Sequence, residues 1–184
     1  MDDSSLQWSS CGTGVTDDPA KTLDELFERL VTRHEEAHPA VRREDKDVWK
    51  PFEKEFRARH LLVKMQEKLM VHGELRHRFE NSWQPANGYL RLFQPLSFDL
   101  IEPSDIVQKA VDWGGLVRQL RKTDAEFEIN LLLGRPVDRS KWAAFEQAQS
   151  VLQEDVQGRK RLVLEERASE FARDVETEIE ATAA

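Results

Sequence analysis

The residues with the most chemical potential lie together at positions 33–38, in the stretch RHEEAH. His34 and His38 are four residues apart, and Glu35 directly follows the first histidine. Two histidines at this spacing on a helix can bind zinc, and the glutamate between them can act as a general base. The charge on Glu36 and the proline after His38 disagree with that pattern, and no third ligand stands at a recognisable distance. The sequence therefore keeps zinc hydrolysis as a hypothesis and not as the preferred interpretation.

A second metal hypothesis uses two Glu-x-x-His motifs, at residues 35–38 and 74–77. Di-iron four-helix bundles use two such motifs together with a glutamate from each of two other helices. His34, His38, Glu74 and His77 are thus the candidate metal ligands. The simpler interpretation is that both motifs are solvated pairs in a chain with 35 acidic residues. We favour that interpretation and predict neither a metal nor a cofactor.

The same stretch also resembles the Arg-polar-x-x-x-His motif of the HEPN ribonucleases, through Arg33, His34 and His38. Those enzymes are small helical bundles, so the resemblance implies metal-free RNA cleavage in a homodimer, with Arg33 and His38 in the site. It covers only positions 33–38, and the family carries its motif on a late helix, whereas here it falls on the first predicted helix. A histidine near a helix C-terminus also caps carbonyls and complements the helix dipole. That role explains His38 without any ligand, and we prefer it.

Composition limits the class of protein. The chain has 184 residues, of which 39% are hydrophobic and 34% charged, which fits one domain with densely charged faces. The net charge of −8 argues against a dedicated nucleic-acid binder, although the basic cluster at 159–161 could contact phosphates or an acidic partner. The single cysteine, Cys11, rules out a disulfide within one chain. With no apolar run of membrane-spanning length, we expect a soluble cytoplasmic protein.

The periodicity of apolar residues predicts an all-α protein, a bundle of about five helices. The first helix starts at Thr22, and residues 49–83 form one long central helix, whose apolar residues recur at helical spacing on two faces. Residues 84–103 form an ordered crossover rich in proline and aromatic residues, with room for a short strand at 89–93. Another helix starts at Ser104 and runs to the glycine pair at 114–115. Residues 123–134 are then expected to be helical, although Phe127, Ile129 and Leu131 alternate as in a strand.

A long helix ends the predicted fold, from Asp138 or Ser140 to about Ile179. Its far half could extend beyond the domain as a coiled-coil arm. The expected domain organisation is a flexible acidic arm at 1–20, a helical bundle at 21–157 and a C-terminal helical extension at 158–184.

These features predict a non-catalytic structural or adaptor protein that acts through helix-mediated association with a protein partner or with itself, as a homo-oligomer. An enzyme using the stretch at 33–38 is the first alternative, and an RNA-coating assembly protein is the second. We expect no membrane partner. The residues predicted to make the interaction are apolar or aromatic: Tyr89, Phe93, Trp142, Phe145, Leu164 and Phe171.

Overall fold

The computed structural model describes residues 18–27, 42–85, 88–156 and 158–183. The chain divides into two compact units, residues 1–41 and 42–184. In the first unit, helix α1 spans Pro19–Phe27, so it starts three residues before the predicted Thr22. The side chains of Leu23 and Phe27 are exposed on α1. Arg33, His34 and His38, on which the zinc and ribonuclease hypotheses depend, lie outside the described residues.

The described part of the second unit contains a five-stranded mixed sheet in the order β1-β2-β3-β4-β5. β1 pairs with β2 and β2 with β3 in antiparallel fashion, whereas β3, β4 and β5 are parallel. The sheet thus combines an antiparallel hairpin with a parallel half. The strand bounds are Gln66–His72 for β1, Leu75–Trp83 for β2, Leu90–Ser97 for β3, Phe127–Gly134 for β4 and Lys160–Leu164 for β5.

Four helices of the described part of this unit cover the sheet: α2 (Asp45–Ala58), α3 (Pro103–Leu120), α4 (Trp142–Asp155) and α5 (Ala168–Ala183). α3 connects β3 to β4 and α4 connects β4 to β5, as parallel strands require. Apolar residues of α3 and α4 join one buried cluster, and those of α2 and α5 join a second. The unit therefore has three layers, with the sheet between two helix pairs.

β4 shows why the sequence adopts this arrangement. All of its residues are buried, and they alternate between the two clusters: Ile129 and Leu131 pack with α3 and α4, and Leu132 packs with α2 and α5. A strand covered on both faces needs a largely apolar run, and the segment FEINLLLG supplies one apart from two buried polar residues. Glu128 is paired with arginines, and the Asn130 amide donates a hydrogen bond to Leu92 O. Sequence analysis noted this alternation but still expected a helix at 123–134, which is wrong.

The all-α prediction and the long central helix at 49–83 are also wrong. α2 ends at Ala58, and a hairpin follows. Gly73 adopts a φ of 60° at the hairpin turn, a conformation that glycine reaches without strain. Met70 and Leu69 both fit a helical face by spacing, but in the strand they point to opposite faces, so that Met70 is buried and Leu69 is half exposed.

The expected coiled-coil arm is wrong as well. Residues 158–184 contain β5, which pairs with β4, and α5, which packs against α2. Phe171 of α5 contacts Phe52 and Phe56 of α2 at ring-centroid distances of 6.0 and 6.1 Å. The apolar spacing that suggested a coiled coil instead buries α5 within the unit. α3 also runs unbroken through the glycine pair at 114–115.

Within the described part of the chain, no helix has both the length and the apolar character needed to cross a membrane.

Candidate interaction surface

The second proposed Glu-x-x-His motif does not form a metal site with its neighbours. Glu74 is exposed in the turn between β1 and β2, and His77 is half-buried on β2. The His77 ring packs edge-on against Phe79 and Trp113, with centroid distances of 4.6 and 5.3 Å. Burial lowers the pKa of His77, and the nearby Gln94 side chain partly opposes that shift. Among the described residues, the buried His77 Nε2 has no hydrogen-bond partner. Across the described residues, no group of three His, Cys, Asp or Glu side chains could hold a metal ion.

The structure assigns the six predicted interaction residues to different environments. Phe93, Phe145 and Phe171 are 1%, 2% and 4% exposed, so they stabilise the unit internally and cannot reach a partner while it is folded. Leu164 is partly buried against the core, while Tyr89 and Trp142 are half-buried. These last two residues contact arginine side chains: Arg159 and Arg91 lie over the Tyr89 ring, and Arg135 and Arg139 over the Trp142 ring.

One cluster of charges lies where the parallel strands begin, and it is internally balanced. The Glu128 carboxylate on β4 is 3.4 Å from both Arg91 Nη1 and Arg161 Nε. Both arginines also contact Glu178 of α5. Two positive and two negative side chains therefore balance one another in charge between the sheet and α5, although among the described residues the buried Arg91 Nε has no hydrogen-bond partner. The carboxylates of this cluster are both engaged by arginines, which favours a role in stabilising the fold.

A second cluster lies at the carboxyl ends of the parallel strands, where open α/β sheets usually bind ligands. The Asp45 carboxylate accepts hydrogen bonds from Ser97 N at 2.6 Å and Lys109 Nζ at 2.8 Å. Lys109 Nζ also donates to Ser97 O at 2.9 Å. The Ser97 hydroxyl donates to the Arg43 carbonyl and is buried, so it is not poised as a nucleophile. These bonds tie the start of α2, and Lys109 within α3, to the end of β3.

The remaining feature is an exposed sheet face on the β1–β2 hairpin, which we call the β1 surface: Glu67, Leu69, Val71, Arg76 and Arg78. Leu69 and Val71 are 50% and 47% exposed. In the β1–β2 register they lie opposite Arg78 and Arg76. Arg78 Nη1 contacts Glu67 at 3.3 Å. The β1 surface therefore consists of two apolar side chains on β1, with two arginine side chains beside them on the same face of β2.

The helices of this unit leave the β1 surface uncovered. α2 packs over β3 and β4 on this side of the sheet, and α3 contacts β1 from the opposite side, where Met70 is buried. No strand of the described chain pairs with the outer side of β1. Its backbone N–H and C=O groups on that side are thus available to a further strand.

β5 forms the other edge of the sheet, but it is a poorer candidate. It has five residues against seven in β1, and its side chains are buried or partly buried. A groove beside it is lined by charged residues of α5, including Glu170 and Asp174. β5 therefore lacks the pair of exposed apolar side chains that β1 carries.

Sequence reasoning missed this surface, although residues 75–79 carried a signal for it. In LRHRF the residues alternate strictly between apolar or aromatic side chains and arginine, which is the pattern of a half-buried strand.

Comparisons of the chain with protein-family models, with curated protein sequences and with solved structures find no match.

Proposed function

We propose that this protein is a non-catalytic assembly module that self-associates through β1, extending its sheet across two copies. The observation that carries the proposal is the open edge of β1 beside Leu69 and Val71, two half-exposed apolar residues that no helix of the described unit covers. The adaptor role predicted from the sequence is retained, but the association moves from helix faces to a sheet edge.

The sequence of β1 is suited to pairing with a second copy. An antiparallel pair of β1 strands centred on Met70 places Leu69 opposite the partner's Val71, and Val71 opposite the partner's Leu69. Apolar cross-strand pairs of this kind contribute up to about 1 kcal/mol each. Two-fold symmetry makes both pairs form together. On the face of the sheet that carries Leu69 and Val71, no two like charges lie opposite each other across the β1–β1 pair.

Catalysis has less support from the described residues. The two internal charge clusters are paired, and the Ser97 hydroxyl is bonded to a backbone carbonyl. The ribonuclease and metal hypotheses on residues 33–38 stay predictions. The cytoplasmic location stays part of the proposal because a chain with one cysteine does not need an oxidising compartment.

Sedimentation velocity over a range of concentrations tests the proposal. We expect a monomer–dimer equilibrium for the parent protein. In the doubly substituted Leu69→Glu, Val71→Glu variant the dissociation constant should rise about tenfold or more, which corresponds to about 1.4 kcal/mol, because the new carboxylates would face each other across the β1–β1 pair. Val137→Glu is the control, because Val137 is 70% exposed at another site and should leave the equilibrium unchanged.

Circular dichroism separates lost association from lost folding. Because Leu69 and Val71 are surface residues, and glutamates there would lie opposite Arg78 and Arg76 on β2, the variant should keep its secondary structure and its unfolding midpoint at low protein concentration. A parent that stays monomeric at about 100 µM, equivalent to a binding free energy weaker than about −5.5 kcal/mol, would rule the proposal out.

A further inference from the structure

A cavity of about 320 Å³ lies at the end of the sheet where the parallel strands begin. Its lining includes Tyr89 just before β3, Arg121 at the end of α3, and Arg159 just before β5. It is separate from the β1 surface, since none of the residues lining it belongs to β1 or β2. Cavities of this size can hold small organic molecules.

Arg121 forms a fixed wall of this cavity. Its guanidinium lies 3.9 Å from the centre of the Phe127 ring. It donates hydrogen bonds to the backbone carbonyls of Phe127 and Arg159, the latter at 2.7 Å. Gly158 has a φ of 81°, and a Cβ there would lie 3.0 Å from Arg121 Cζ. Glycine at this position thus serves both the turn before β5 and the close approach of the guanidinium.

Arg159 is the group that can reach a ligand. Its guanidinium lies over the Tyr89 ring, 4.0 Å from the centroid, and the side chain is exposed. Among the described residues, no carboxylate lies within ion-pair distance of it. Stacking on an aromatic ring orients the planar guanidinium and leaves its edge N–H donors available. That edge matches the two oxygens of a carboxylate or phosphate.

The acidic residues in the lining select between those two anions. Asp124 and Glu126 are exposed and line the same cavity, so they offset the charges of Arg121 and Arg159. A phosphate dianion would meet more repulsion there than a singly charged carboxylate. We propose that this cavity binds a small monocarboxylate, with the carboxylate on the Arg159 guanidinium beside the Tyr89 ring.

The chain offers a specific reporter, since Tyr89 is its only tyrosine. Protein labelled with isotopes only in tyrosine gives one set of ring signals, and these arise beside the proposed carboxylate. The full chain is titrated separately with propionate and with inorganic phosphate at constant ionic strength and pH. We expect a saturable shift of the Tyr89 ring signals with propionate, at lower concentrations than with phosphate.

Variants assign the effect to this cavity. Arg159→Gln should raise the propionate dissociation constant at least tenfold, whereas Arg173→Gln, at an exposed arginine of α5, should leave it unchanged. Glu126→Gln should tighten phosphate more than propionate. The proposal fails if propionate gives no saturable shift, if Arg159→Gln binds it equally well, or if phosphate binds more tightly than propionate to the parent protein.

Discussion

Val48 of α2 lies so close to Gly134 at the end of β4 that a Cβ atom on the glycine would come 2.2 Å from Val48 Cγ2. Val48 is fully buried and Gly134 is buried at the carboxyl end of the strand. The first turn of α2 therefore rests directly on the backbone of β4. The glycine sets how closely the helix approaches the sheet.

Gly134→Ala should lower the free energy of unfolding by about 2 kcal/mol, because an added methyl group overpacks a closed contact. Urea unfolding measures the change. In a Val48→Ala background the same substitution should cost markedly less, since the methyl group it opposes is gone. Equal costs in the two backgrounds would show that the Val48 contact is not the cause.

The glycine pair in α3 gives a prediction in which neighbouring residues behave oppositely. A Cβ at Gly114 would lie 2.7 Å from Asp155 Cβ, whereas a Cβ at Gly115 would meet nothing within 4 Å. Gly115→Ala should therefore stabilise the protein by up to about 1 kcal/mol through helix propensity. Gly114→Ala should destabilise it, because α4 must move away. Thermal unfolding of the two variants provides the comparison, and the same sign for both would contradict the packing of α3 on α4.

The Glu128 cluster predicts a large effect from a nearly isosteric change. Glu128→Gln leaves Arg91, which is 12% exposed, without one of its carboxylate contacts. The loss should be about 2 kcal/mol in unfolding free energy, because the arginine charge stays buried. Glu170→Gln removes an exposed contact with Arg167 and is the control, with no measurable change expected. A Glu128→Gln variant as stable as this control would show that the cluster is not stabilising.

His77 should make stability depend on pH. Burial lowers its pKa in the folded state, so the unfolded chain takes up a proton more readily than the folded one. The stabilisation is then complete above the ordinary histidine pKa of about 6.5 and declines as the pH falls toward the lower pKa of the folded state. Unfolding free energies measured at several pH values between neutral and mildly acidic should show this decline.

A histidine variant isolates that contribution. His77→Gln should reduce the pH dependence in this range, even if it also changes stability at neutral pH. His60→Asn is the control, because His60 is exposed with a φ of 55°, which asparagine accepts. If His60→Asn flattens the pH profile and His77→Gln does not, the burial of His77 is not the source.

The sequence predicted local features of this fold better than its architecture. The short strand considered at 89–93 overlaps β3, which spans Leu90–Ser97, and a helix starting at Ser104 corresponds to α3, which starts at Pro103. Both signals are local: an apolar segment between turn residues, and a helix start after a proline. The sheet was missed because Met70 and Leu69 fit helical spacing as well as the alternation of a strand. Only the pairing of β1 with β2, through the turn at Gly73, decides between them.

The candidate site was harder to predict than the strands. Whether Phe93 or Tyr89 faces solvent depends on which strands flank β3. One of these is β4, which is distant in sequence: Arg91 of β3 and its partner Glu128 of β4 are 37 residues apart. Aromatic residues were therefore assigned to a surface when several form the core. Arg159 and Tyr89 were both noted from the sequence, but their contact requires the ends of two strands to meet. Such contacts follow from topology, which the apolar periodicity did not specify.

The division of the sheet into an antiparallel hairpin and a parallel half also has a consequence for how the chain folds. β1 and β2 are joined by a two-residue turn, so they can pair within microseconds, while β3 and β4 must close a much longer loop. The hairpin also emerges before the parallel half of the sheet during synthesis. If copies associate through β1 as proposed, Leu69 and Val71 are available for that pairing before α3, β4 and β5 exist, so that association can begin before either chain has finished folding.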